Sequence, residues 1–516
     1  MLKKYTKSII VTLFFLTILA IGFTVFKGYG VHWDEIQNQR FGSRWLNYVS
    51  TTLSDKEIIK PLFLDQENHG WVHGPFIEVI FSFIHNDILK LKSPRSIILA
   101  RHLLTFLTFF LGLVFFYLLL RLYFQDYKYC LLAVGLLLLT PRIFAHSFYN
   151  SVDIPFLSFY IISAYTLHKL IDKKSIPLAV LHALACAILI NIRQIGIILP
   201  ILTISYILIE TLKAKENKAK NAIILVFYFI ALLLLVYLFW PLIWYKPHLT
   251  LIKAIQKISA NSWNLETLYR GNYIKGSDLP WHYPFVWMAI TIPISYIIAF
   301  VLGLFSLFKN KKMQKYLFFP LTGLFLPIIG VIIFKISIYD GWRHLFFVYP
   351  FFIIIALTGL DSLFLMIKKI SPESLYKMII FIIILATIAS PLVFMIKYHP
   401  YQNLYFNRLA GRDMKQIKEN YELDYWGLSY RRALEYILAH DGREKIQVYA
   451  ANIAGEDNGF ILPDKERMRI IFAPSSFFAD YFIGNFRWNK EDYYAKDDFY
   501  SIKVGNAKIM VVYKLK

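Results

Sequence analysis

Apolar runs about as long as a membrane-spanning helix recur through the first four-fifths of the chain, and they limit the fold more than any motif does. Across 516 residues, eleven candidates follow one another near 8–26, 98–120, 129–145, 154–171, 176–191, 195–211, 221–243, 285–308, 316–334, 344–367 and 376–396. Each approaches the roughly 20 residues needed to cross a hydrocarbon core. Runs such as Leu131 to Leu139 and Ile223 to Trp240 are unbroken by charge. Charged side chains make up 17% of the chain, against about 25% in an ordinary soluble domain. The length is therefore divided into spans, and the fold class expected is a polytopic α-helical membrane protein.

The net charge is +22, and the tail from Lys397 carries 19 basic against 16 acidic residues, so nearly all of the excess lies in the apolar part. That placement suits cytoplasmic loops that hold a topology, and it sets nucleic-acid binding aside. The first run follows Lys3, Lys4 and Lys7 but has no small-residue cleavage site after it, so it reads as an uncleaved first helix with the N-terminus in the cytoplasm. The even-numbered connections then hold Arg121 and Lys128; Lys173 and Lys174; Lys213, Lys215, Lys218 and Lys220; Lys309, Lys311, Lys312 and Lys315; and Lys368, Lys369 and Lys377. Every one is basic, whereas the opposite short loops at 146–153, 191–194 and 335–343 carry only three Lys or Arg between them. The outer face thus receives the loops 27–97, 146–153, 244–284 and 335–343 and the tail 397–516, with residues 1–396 as the transmembrane domain. In the tail, Ser429–His440 reads as an amphipathic helix. Lys445–Ala450, Met468–Ala473 and Lys508–Lys514 read as short strands, which gives a small extracytoplasmic α/β domain. Cys130 and Cys186 are far apart in apolar segments and define neither a disulfide framework nor a zinc site.

Ionisable residues collect on the outer face. Asp34 and Glu35 stand about eight residues beyond the first run, in Tyr29-Gly30-Val31-His32-Trp33-Asp34-Glu35, and Asp153 lies in a short polar hairpin ahead of Pro155. Asp153 has a structural alternative as a helix cap, since anions suit helix N-termini. Arg142, Arg193, His282 and the run Tyr339-Asp340-Gly341-Trp342-Arg343-His344 fall near the same face, where arginines run against the charge rule. The middles of the spans hold almost no ionisable group apart from His182, which reads as a hydrogen-bonded packing residue. That argues against an ion-coupled transporter. Carboxylates and arginines beside an apolar bundle suit a lipid substrate with an anionic headgroup: Arg binds phosphate oxygens, and a carboxylate withdraws a proton from an attacking hydroxyl.

The ordered stretches His32-Trp33-Asp34-Glu35, Pro141-Arg142, Asn150-Ser151-Val152-Asp153-Ile154-Pro155, Arg193-Gln194-Ile195-Gly196, Leu279-Pro280-Trp281-His282-Tyr283-Pro284, Tyr339 to His344, His399-Pro400-Tyr401-Gln402 and Glu422-Leu423-Asp424-Tyr425-Trp426-Gly427 run through nearly the whole chain. In them the sequence resembles the GT-C superfamily of integral-membrane glycosyltransferases. The likeness is to the bacterial branch related to protein O-mannosyltransferases and lipid A aminoarabinose transferases. The resemblance implies an inverting transfer from a polyprenyl-phosphate sugar to a glycan, lipid or protein acceptor outside the cytoplasm, in a multi-pass bacterial inner-membrane protein. It also implies Asp34 as the catalytic base and Asp153 as the acid that helps to shape the site. Two departures stand out: the first-loop element reads His73-Gly74-Pro75, and Gly411-Arg412 opens the tail.

The leaving group of a sugar phosphate ester is already a stable anion, so one base is enough, and Asp34 and Asp153 need not act as the carboxylate pair of a glycoside hydrolase. Glu35 either orients Asp34, raises its pKa by like charge, or has no role. Arg343, Arg193 and Arg142 are assigned to the donor phosphate, and His282, Tyr339 and His344 to substrate binding. No cofactor is required. A divalent metal is the lesser alternative, because His32, His69, His73, Asp34 and Glu35 share one loop. The alternative function is a transporter or flippase of lipid-linked sugars.

Overall fold

The computed structural model describes residues 2–56, 58, 74–213, 218–245, 247–248, 265–309 and 311–516. His69, His73 and Lys215 lie outside the described residues. All eleven expected spans fall on helix. Seven of the described helices are long and apolar enough to cross a membrane in one piece, and nine if each of two bent pairs counts as one span. The pairs are Tyr127–Leu138 with Pro141–Tyr149, bent by 70°, and Tyr283–Thr291 with Ile294–Ser306, bent by 117°. A proline stands at each break, Pro141 and Pro293, where a missing N–H and a locked φ end one helix and start the next. Ile176–Ile192 and Phe318–Ile333 are apolar but shorter. The eleven apolar runs thus correspond to seven long helices, two bent pairs and two shorter helices; apolar runs in the sequence do not reveal a helix that turns partway.

Lipid offers no hydrophobic gain for one apolar helix meeting another, so close packing must hold the bundle together. The crossing of Ile294–Lys309 with Tyr349–Ile370 shows how. A Cβ on Gly359 would lie 2.0 Å from the Ala299 carbonyl oxygen, and one on Gly303 2.0 Å from that of Ile355. Neither site admits a larger residue without moving backbone.

Beyond the bundle, the first long loop is helical over Glu35–Asp55, with Ile36, Trp45, Tyr48 and Thr52 turned inward. A hairpin of β1 (Glu266–Tyr269) and β2 (Asn272–Lys275) turns through Arg270 and Gly271, both at positive φ. The tail forms β3 (Ile446–Ala450), β4 (Ile470–Phe472), β5 (Tyr481–Gly484), β6 (Tyr500–Val504) and β7 (Ala507–Lys514). These make one sheet in the order β4-β3-β5-β7-β6, with β3 parallel to β4 and β5, and β7 antiparallel to β5 and β6. The amphipathic helix covers Tyr430–His440 and buries Ala433, Leu434, Ile437 and Leu438.

The α/β domain docks on the first loop through main-chain mimicry. Asn458, fully buried, accepts from the Val31 N–H at 2.9 Å and donates to the Val31 carbonyl at 2.9 Å, to that of Gly427 at 3.1 Å and to that of Ala454 at 2.7 Å. The Trp33 N–H donates to the Trp426 carbonyl. Asn458→Ala would strand both buried backbone groups of Val31 at about 1–3 kcal/mol each. The expected result is a fall of several degrees in apparent melting temperature in detergent, and an unchanged melting temperature would remove Asn458 as the tie.

Candidate functional site

Asp34 occupies the N-cap position of Glu35–Asp55 without making a side-chain capping bond. Its backbone N–H donates to His32 Nδ1 at 3.1 Å. The Asp34 side chain is partly exposed and makes no hydrogen bond or ion pair among the described residues. It lies within electrostatic range of Arg343, Arg487, Tyr339 and His32. A carboxylate held among cations, yet paired to none, remains available to a substrate.

Its neighbour behaves differently. Glu35 is 1% exposed, forms an ion pair with His102 at 3.1 Å and accepts from the His32 N–H at 3.3 Å. Burial alone would raise its pKa, but His102, His32 and Arg101 together outweigh that effect and hold the carboxyl below its ordinary value. These bonds tie Glu35 to His102 and to the backbone of its own loop. Burial lowers the pKa of the His32 imidazole, against the pull of Glu35 and Asp34, and its ring stacks on Trp426 at 4.5 Å.

Asp153 is the centre of a buried charge cluster. It is 2% exposed; one oxygen pairs with Arg193 at 2.5 Å, and the other with Arg343 at 3.2 Å and the Asn150 amide at 2.9 Å. It does not cap its helix. Asn150 does that work, accepting from the Val152 and Asp153 N–H groups. Arg343 also faces Asp340 at 3.7 Å and lies over the rings of Trp426 and Tyr339 at 4.9 and 5.1 Å. The turn that delivers it runs through Asp340 and Gly341 at φ +55° and +76°, a conformation that asparagine, aspartate and glycine tolerate best. The Gly341 N–H donates to the Tyr283 hydroxyl at 3.1 Å. Tyr339 and His344 meet edge to face at 4.8 Å, and the charge of His344 reaches Asp153.

Two sequence-assigned residues sit apart from these pairs. Arg142 is 2% exposed, donates to the Tyr405 carbonyl at 3.2 Å and lies over Phe406 and Trp287 at 4.6 and 5.2 Å. It has no carboxylate partner among the described residues. His282 precedes the helix Tyr283–Thr291 and bonds the Tyr269 hydroxyl through Nδ1 at 2.9 Å.

Sequence reasoning missed the residues that support this cluster. Arg487 of the tail pairs with Asp340 at 3.1 Å and donates to the Tyr425 carbonyl. Arg101 pairs with Glu78 at 2.5 Å, and Glu78 also accepts from Ser151, two residues before Asp153. Trp426 lay inside a recognised motif, but nothing in the sequence marked it as the floor under His32 and Arg343. Among the described residues no group of three or more His, Cys, Asp or Glu stands close enough to hold a metal ion. His182 is fully buried, with Thr166 and Thr203 each at 2.8 Å from its ring nitrogens, so it is engaged in packing the bundle.

Glu422 is 6% exposed beside Arg487 and Asp340, and burial, partly offset by Arg487, pushes its carboxyl up to about 7 from 4.5. A raised carboxyl pKa means that the folded state binds the proton more tightly than the unfolded one, so stability is lost as pH rises from about 4.5 to about 7. Glu422→Gln is expected to flatten that part of the melting-temperature profile and to raise stability above pH 7. A profile identical to that of the parent would show that Glu422 stays charged.

The fold and the cluster are those of a polytopic helical membrane protein with a buried charged site where the bundle meets a small α/β domain. The family model described as dolichyl-phosphate-mannose-protein mannosyltransferase matches residues 74–244, a third of the chain that includes Arg142, Asp153 and Arg193. Over that stretch the chain is similar to this family, in line with the resemblance of its motifs. No curated protein matches it. Two solved structures align over nearly the full length, both of ArnT from Cupriavidus metallidurans. One, bound to undecaprenyl phosphate, has 13% identity and covers 97% of each chain at a TM-score of 0.46. The other, in the apo state, has 11% identity and covers 98% of each chain at 0.45.

Proposed function

We propose that the protein is a glycosyltransferase of the bacterial inner membrane, multi-pass, with its N-terminus in the cytoplasm and its α/β domain outside. It moves a sugar from a polyprenyl-phosphate carrier to an extracytoplasmic acceptor. The observation that supports this reading is the contrast between two carboxylates: Asp153 is paired with Arg193 and Arg343, whereas Asp34 makes no hydrogen bond or ion pair among the described residues. In the reaction, Asp34 takes the proton of the acceptor hydroxyl as that oxygen bonds the anomeric carbon. The bond from that carbon to the phosphate oxygen breaks, and the electron pair leaves with polyprenyl phosphate. Attack opposite the leaving group inverts the configuration. Arg193, with 18% of its side chain exposed, and Arg343 meet the phosphate, and the reaction needs no metal or cofactor. The engaged state of His182 gives no support to a flippase.

Purified protein given radiolabelled polyprenyl-phosphate sugar and a membrane extract is expected to transfer label. Failure to turn over the donor with any common sugar would overturn the reading.

A further inference from the structure

A pocket of about 390 Å³ opens between the first-loop helix and the α/β domain, inside the roughly 300–1,000 Å³ of small-molecule sites. Ile36, Gln37 and Arg40 form one wall, and Asp457, Phe460 and Phe472 lie across from them. The helix wall starts two residues after Asp34, about 3 Å of helix rise.

Asp457 is the anomaly. It is 8% exposed, and its carboxylate makes no hydrogen bond or ion pair among the described residues. Its side chain lines the pocket without an internal partner among the described residues, so a ligand that donates a hydrogen bond can meet it there. Burial pushes this carboxyl up to about 7, with Arg40 opposing, and the charge of Glu35 reaches it as well. Arg40 and Arg467 are matched in number by Glu456 and Asp457, so the lining as a whole favours neither a cationic nor an anionic ligand. The carboxylate disfavours an acyl chain. What remains is a neutral ligand with both hydroxyl groups and apolar C–H faces, for which Phe460 and Phe472 offer ring surfaces and Gln37 both a donor and an acceptor.

We infer that this pocket binds the saccharide portion of the acceptor, with Asp457 accepting hydrogen bonds from its hydroxyl groups. The inference rests on the transfer reaction proposed above, and it gives that reaction its acceptor class. Binding here places an acceptor along the helix that begins at Asp34, while the donor phosphate stays with Arg193 and Arg343.

The test uses the full chain in detergent, with neutral oligosaccharides released by mild acid from the envelope of a strain lacking the protein. Saturation-transfer NMR is expected to show binding of that fraction to the parent and its loss in Asp457→Asn and Phe472→Ala. In transfer assays, acceptor KM is expected to rise in both variants, roughly tenfold or more in Asp457→Asn, the size of one charge-assisted hydrogen bond, with donor KM unchanged. Equal binding by parent and variants, or no binding by the parent, overturns the pocket while a transferring parent keeps the proposed reaction. A parent that binds the oligosaccharides but never turns over donor keeps the pocket as a saccharide site and overturns the reaction.

Discussion

Asp34→Asn is expected to lower sugar transfer by roughly 10²–10⁴-fold, the range that removal of a general base costs, with the apparent melting temperature unchanged. Both halves follow from the position. The Asp34 side chain makes no bond that the fold depends on, and asparagine is at least as good as aspartate at a helix N-cap. The substitution keeps the shape and removes only the proton acceptor. Donor KM should stay near the parent value, because Arg193 and Arg343 remain paired with Asp153. A loss confined to kcat identifies the base; a variant that keeps its rate moves that role to another group.

The eleven apolar runs were legible because membrane insertion is a property of composition over about 20 residues. The tail strands β3, β4 and β7 were legible too, as short runs between turn residues. β5 was not: its four residues are all buried, so no alternation marks them. The helix Glu35–Asp55 was lost inside a segment treated as loop, although its inward residues follow helical spacing.

At the site, Asp34, Asp153 and the arginines were visible as charges in the wrong place for a solvated loop. Their partners were not visible. Asp340 and Arg487 are 147 positions apart, and Glu35 and His102 are 67 apart. Periodicity encodes which face of an element is buried; it does not encode which distant charge meets it there. Glu35 illustrates the consequence: it is adjacent to Asp34 in sequence, yet the fold buries it against His102 and leaves Asp34 partly exposed.

Asp153→Ala is expected to be the most destabilising single change at the site, by about 3–5 kcal/mol, because it strands two guanidinium groups where one carboxylate had neutralised both. Arg343→Ala removes a single partner and leaves Asp153 with Arg193 and Asn150, so it should cost less. The double variant Asp153→Ala/Arg343→Ala should then lose less than the sum of the two, with a coupling of about 1–3 kcal/mol. Arg343→Lys separates charge from shape: lysine keeps the positive charge but lacks the planar fork and the stacking on Trp426. If Arg343 holds the donor phosphate, the lysine variant keeps most of the stability of the parent while its donor KM rises. An Arg343→Lys protein with parent donor affinity would confine Arg343 to the structural pair and leave Arg193, the more exposed of the two, as the phosphate ligand.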